Sequence, residues 1–166
     1  MRDLLAQSNI RKILRYALFL FLTLVVQNML FTQIRPMGVC PMVVPAVVVA
    51  IAMFESVNFS FICALILGIF MDMAFAETTV LFTILFPALA FGAGFVSQFF
   101  INRRFFAFMG LALAAELITA LVQMLLTWAG DVWSNELIRT ALLQTLWSMP
   151  PAALAFFPPA RWIGKK

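Results

Sequence analysis

The sequence contains no histidine, and only 11 Lys or Arg and 7 Asp or Glu are spread over its 166 residues. Without histidine the chain lacks the side chain that titrates nearest neutral pH and most often ligates metals. Its two cysteines, Cys40 and Cys63, do not form a Cys-x-x-Cys pair, so no zinc or thiol–disulfide motif is present. A bridge between them is not expected, because Cys63 falls in an apolar run and Cys40 in a loop. There is no GxxxxGK[ST], GxGxxG or GxSxG motif. The residues therefore predict no cofactor, no metal site and no catalytic site.

What fills the chain is apolar. Hydrophobic residues make up 64% of it, and the mean hydropathy is +1.05. A soluble domain is nearer ~45–50% apolar with ~25% charged residues. The composition thus excludes an ordinary soluble domain, a disordered chain and a disulfide-rich secreted module. A net charge of +4 does not point to nucleic acid, because a membrane protein distributes basic residues by topology. Six apolar runs stand out, at about 14–31, 39–54, 59–76, 80–101, 105–128 and 137–157. At about 20 residues per crossing, they leave no room for a soluble domain. The first run is too long for a signal peptide and lacks a small-x-small cleavage site, so it reads as a retained anchor. Pro41 suits the first turn of the second helix, and Pro45, one turn deeper, is placed to bend it. The boundary between the second and third runs is the weakest of the five.

The basic residues test this division. With the N-terminus in the cytoplasm, the cytoplasmic segments hold Arg2, Arg11, Lys12, Arg15, Arg103, Arg104, Arg161, Lys165 and Lys166. The opposite side holds only Arg35 and Arg139. That asymmetry obeys the positive-inside rule. The expected fold class is an all-α integral membrane protein, a compact bundle of six transmembrane helices in one domain, with both termini inside. Trp128, Trp133 and Trp162 fall at run boundaries, as an aromatic belt requires. Trp147 falls mid-run and is expected to pack between helices.

Two acids lie inside runs. Ala64, Gly68 and Asp72 recur at i, i+4 and i+8 and share one helix face. Small residues there let another helix approach, so Asp72 is expected to face protein. Packing glue is the favoured role, with a cap or partner contact and an ion relay as alternatives. Glu116 lies mid-run on a face with Ala112, Thr119, Ala120 and Gln123. A mid-membrane acid is a functional candidate by default, and Gln144 is the expected neutral partner, with Arg139 nearby. Thr140, Gln144 and Ser148 form a polar stripe on the sixth helix. Ala90, Gly94 and Gln98, with Ala88 and Gly92 beside them, form one on the fourth, and Thr23 and Gln27 pair on the first. Interhelical glue is the plainer role for these stripes; lining a central polar cavity is the other. Pro87, Pro150 and Pro151 interrupt the fourth and sixth runs, yet the two halves do not match as a transporter repeat would.

The run Ala64-Leu65-Ile66-Leu67-Gly68-Ile69-Phe70-Met71-Asp72 resembles the G-x-x-x-G-x-x-x-D pattern of the bacterial rod shape-determining MreD family, with Ala64 for the first glycine. Pro41, the segment Ala90-Phe91-Gly92-Ala93-Gly94, the following Asn102-Arg103-Arg104 and Glu116 also match that family's layout. Met73-Ala74-Phe75-Ala76-Glu77-Thr78-Thr79 departs from the Ser-Gly turn that usually follows its Asp. The resemblance implies a non-enzymatic inner-membrane component of the cell-elongation machinery. It would bind the bitopic protein MreC and, through the complex, meet MreB, RodA and the transpeptidase partner of RodA. Candidate partner surfaces are the faces at Ala64/Gly68 and Ala88/Gly92, with Gly94, Arg103 and Arg104. The rival expectations are a substrate-binding membrane subunit of an energy-coupling-factor vitamin transporter and a small ion channel built on Asp72 and Glu116.

Overall fold

The computed structural model describes residues 2–31, 33–34, 38–74, 80–99, 105–129 and 135–163. Expectations that rest on Arg35, Glu77, Arg103, Arg104, Trp133 or the side chain of Trp128 lie outside the described residues. Helix α1 (Arg2–Val25) runs directly into a wider π-helical segment (Val26–Phe31). Then follow α2 (Val44–Phe54), α3 (Val57–Ala74), α4 (Leu81–Phe99), α5 (Phe105–Ala129), α6 (Asn135–Ala155) and the short α7 (Phe157–Ile163). No strand occurs among the described residues.

Four segments are long and apolar enough to cross a membrane: Ile10–Phe31, Val57–Ala74, Leu81–Gln98 and Phe105–Leu126. This is consistent with a multi-pass membrane protein. Helix α6 is long enough but less apolar, because Arg139, Thr140, Gln144, Thr145 and Ser148 interrupt it. Its two adjacent prolines, Pro150 and Pro151, lie within the helix and do not end it. Pro87 likewise sits inside a continuous α4.

The second apolar run departs most from the sequence expectation. Helix α2 has 11 residues, so at a rise of about 1.5 Å per residue it is only about 16 Å long. A hydrocarbon core of about 30 Å needs about twice that. Residues 39–43, just before it, are non-helical yet, apart from Cys40, buried. The residue before a proline is driven away from helical backbone, and Pro41 places that constraint at Cys40, outside the helix. Pro41 therefore lies in the unwound leader, and Pro45, not Pro41, occupies the first helical turn. There it bends nothing, since its missing N–H has no role at that position.

Helix α2 is the axis of the bundle. Every residue from Val44 to Met53 is buried, and the helix touches α1, α3, α4, α5, α6 and α7. A helix that is apolar all round belongs in such a place. Only Glu55 and Ser56 separate it from α3, yet the two are distinct helices. The largest helix pairs around it are α3 with α4 and α5 with α6.

Contacts sort the helix ends into two groups. At one end the ring of Tyr16 meets those of Phe59 and Trp162 edge-on, at 5.1 and 4.9 Å. Phe156 meets Phe54, Phe105 and Phe108 at 5.3–5.4 Å. The Tyr16 turn in the middle of α1, the α2–α3 turn, the start of α5 and the end of α6 thus lie together. Trp147 does not pack between helices: it is 39% exposed and faces outward.

Candidate functional site

Buried backbone outside a helix must find hydrogen-bond partners from side chains. The leader of α2 finds them on two other helices. Gln27, in the π-helical segment and 1% exposed, donates from Nε2 to the Pro41 carbonyl at 3.0 Å. Its Oε1 accepts the Val43 N–H at 2.9 Å. Ser148 of α6 accepts the Met42 N–H at 2.8 Å and donates to the Gln144 carbonyl one turn earlier at 2.7 Å. The Cys40 thiol lies 3.2 Å from the Phe31 carbonyl. Two side chains thus take the place of the missing helical turn.

Beside this clamp, at the end opposite the aromatic clusters, lies a half-open cleft of about 210 Å³. Gln27, Cys40, Met42, Gln123, Thr140 and Gln144 contribute to its wall. Gln144 Nε2 donates to Gln123 Oε1 at 3.3 Å and lies 4.0 Å from Met42 Sδ. The sequence pairs Gln144 with Glu116; the structure gives it Gln123 instead. Cys40 and Cys63 are both free thiols. No group of three or more His, Cys, Asp or Glu converges among the described residues.

Glu116 is 2% exposed. Its partner is the backbone N–H of Ala46, in the first turn of α2, where N–H groups have no helical acceptor. A carboxyl at that position also faces the positive end of the helix dipole. The second carboxyl oxygen, Oε1, has no hydrogen-bond partner. Ala112, Thr119 and Ala120, on the same face, are also buried. The face is turned inward, but Thr119 bonds the Ala115 carbonyl of its own helix at 2.8 Å. Thr23 and Thr145 likewise bond the carbonyl four residues earlier. These hydroxyls satisfy themselves locally and join no neighbouring helix.

Asp72 plays the same part for α4. Its Oδ1 accepts the Phe82 N–H at 2.9 Å, and its Oδ2 accepts the Thr83 N–H at 2.8 Å and the Thr83 hydroxyl at 2.6 Å. The carboxyl caps the free donors of the first turn of α4 from the end of α3. Gly68, one turn earlier, makes that reach possible. A Cβ on Gly68 would lie 2.5 Å from the Phe82 carbonyl oxygen and 2.7 Å from Thr83 Cα. Ala64 is 1% exposed. The Ala64–Gly68–Asp72 face is therefore covered by the chain's own α4 and offers no partner surface. Asp72→Asn keeps one acceptor but turns an NH₂ toward N–H donors. It is expected to cost about 1 kcal/mol, the usual worth of a cap. Thermal unfolding of the purified variant measures this.

Glu55, which the sequence places only in a turn, is 9% exposed. It accepts the Tyr16 hydroxyl at 2.8 Å and pairs with Lys12. Lys12 also lies 5.3 Å from the centre of the Phe59 ring. The pair ties α1 to the α2–α3 turn. A lone Glu beside a polar Ser-Val-Asn stretch gives no sequence signal for this role.

Of the expected partner surface, Ala88 and Gly92 are exposed on α4, together with Ile84, Phe91 and Phe95. A Cβ at Gly92 would meet nothing within 4 Å. Gly94, in contrast, faces inward, and its Cβ would approach Val57 at 3.4 Å and the Ala52 carbonyl at 3.8 Å. It belongs to the packing of α4 against α2 and α3. Comparison with family models, curated proteins and solved structures gives no match.

Proposed function

We propose that the chain is a multi-pass inner-membrane protein with both termini in the cytoplasm, and a non-enzymatic scaffold of the cell-elongation complex. In this reading it binds MreC directly and, through the assembly, supports MreB, RodA and its transpeptidase partner in peptidoglycan synthesis. One observation carries the reading furthest. The polar groups inside the bundle act on the chain's own backbone: Gln27 and Ser148 on the leader, Asp72 on α4 and Glu116 on α2. Chemistry directed inward leaves helix surfaces as the means of action. The α4 strip of Ala88 and Gly92, flanked by Phe91 and Phe95, lets a single partner helix approach closely.

Gly92→Leu and Ala88→Leu should leave the fold intact while reducing MreC recovery in pull-down at least tenfold. Depletion in a rod-shaped host should round the cells. Rods of normal shape and undiminished MreC recovery would refute the scaffold.

The cleft beside the clamp favours a second reading, a substrate-binding membrane subunit of an energy-coupling-factor vitamin transporter. Loss of vitamin uptake with normal cell shape would select it.

A further inference from the structure

Three arginines at the aromatic end are exposed: Arg11 and Arg15, one turn apart on α1, and Arg161 on α7. The residue after Arg161, Trp162, packs edge-on against Tyr16 at 4.9 Å and Phe19 at 5.8 Å. That contact seats α7 against the α1 turn that carries Tyr16, next in sequence to Arg15. Glu55, the acid described at this end, is already bound by Lys12 and Tyr16. The three guanidinium groups have no acidic partner among the described residues.

The face that carries Arg11 and Arg15 continues through Leu18 and Leu22, at i, i+4, i+7 and i+11. Leu18 is 59% and Leu22 51% exposed, and Leu14 beside them is 69% exposed. One helix face therefore changes from cationic to apolar along its axis. From Arg15 to Leu22 it extends about 10 Å at a rise of about 1.5 Å per residue. A soluble anion matches only the basic part of that surface, and an acidic peptide has no use for the apolar part running into the membrane.

We propose that the α1–α7 corner binds one anionic phospholipid. Its phosphate lies among Arg11, Arg15 and Arg161, and an acyl chain follows Leu18 and Leu22. Planar guanidinium forks match phosphate oxygens in pairs. This rests on the chain being membrane-embedded, and not on the identity of its protein partner.

Native mass spectrometry of the full-length protein in detergent tests the proposal, with phosphatidylglycerol and phosphatidylcholine of equal chain length. The wild type should retain phosphatidylglycerol preferentially. The triple variant Arg11→Gln/Arg15→Gln/Arg161→Gln should bind it about a hundredfold more weakly, at about fivefold per arginine. Arg139→Gln should leave binding unchanged. Soluble glycerol phosphate should displace the lipid poorly, and Leu18→Gln/Leu22→Gln should weaken lipid binding. Should the triple variant unfold, Arg161→Gln alone must still lower phosphatidylglycerol binding about fivefold. Equal retention of the two lipids, an unchanged preference in the arginine variants, or full displacement by glycerol phosphate overturns the proposal.

Discussion

Gly68→Ala is expected to unfold the protein at a markedly lower temperature, although alanine is the better helix former. The added Cβ would fall 2.5 Å from the Phe82 carbonyl oxygen, 2.7 Å from Thr83 Cα and 2.8 Å from the Phe82 carbonyl carbon. All three atoms are backbone, so no side-chain rotation relieves the clash. Helix α4 must move away from α3, and that movement stretches the hydrogen bonds from Phe82 and Thr83 to Asp72. Overpacking a tight contact costs about 1–3 kcal/mol, occasionally more, and the rigid neighbours place this one at the upper end. Gly92→Ala on the outer face of the neighbouring helix is the control. Its Cβ meets nothing within 4 Å, and exchanging a mid-helix glycine for alanine gains about 0.5–1 kcal/mol. Thermal melting of the two variants should thus move in opposite directions.

Gln27→Leu is expected to be the most damaging single exchange of a polar residue. It nearly preserves volume while removing a donor and an acceptor together. The Pro41 carbonyl and the Val43 N–H are then buried without partners. Each orphaned group costs about 1–3 kcal/mol, so the loss is about 2–6 kcal/mol. Ser148→Ala orphans only the Met42 N–H and should cost about half as much. The two sites hold one segment, so the double variant should be less damaging than the sum of the singles. Gln98→Leu, at an exposed position of α4, should be close to neutral. Denaturation in mixed detergent micelles, followed by tryptophan fluorescence, reads all four.

The periodicity of α3 made its buried face legible. Residues at i, i+4 and i+8 share a side of any helix, and the small residues among them mark a close neighbour. The same logic placed Ala112, Glu116, Thr119 and Ala120 on an inward face of α5. Periodicity could not reveal what those acids bind, because their partners are backbone N–H groups of other helices. Glu116 meets Ala46, 70 positions earlier, and Asp72 meets Phe82 and Thr83 of the next helix. By pattern alone, Gln27 is one more polar residue in a stripe. Its importance follows from the unwound leader, in which Pro41 keeps Cys40 away from helical backbone. Gly94 and Trp147 were misplaced for a different reason: α4 and α6 have more than one apolar face, and burial alone decides between them.

In the proposed topology, residues 39–54 cross the bilayer as a buried leader followed by a short helix. Labelling single cysteines with a membrane-impermeant maleimide in intact cells tests this directly. Gln33→Cys and Ser56→Cys, both at exposed positions flanking that segment, would each be made in a chain carrying Cys40→Ser and Cys63→Ser. The expected result is that position 33 reacts in intact cells and position 56 only after the membrane is opened. Reaction of both positions from the same side would contradict the crossing.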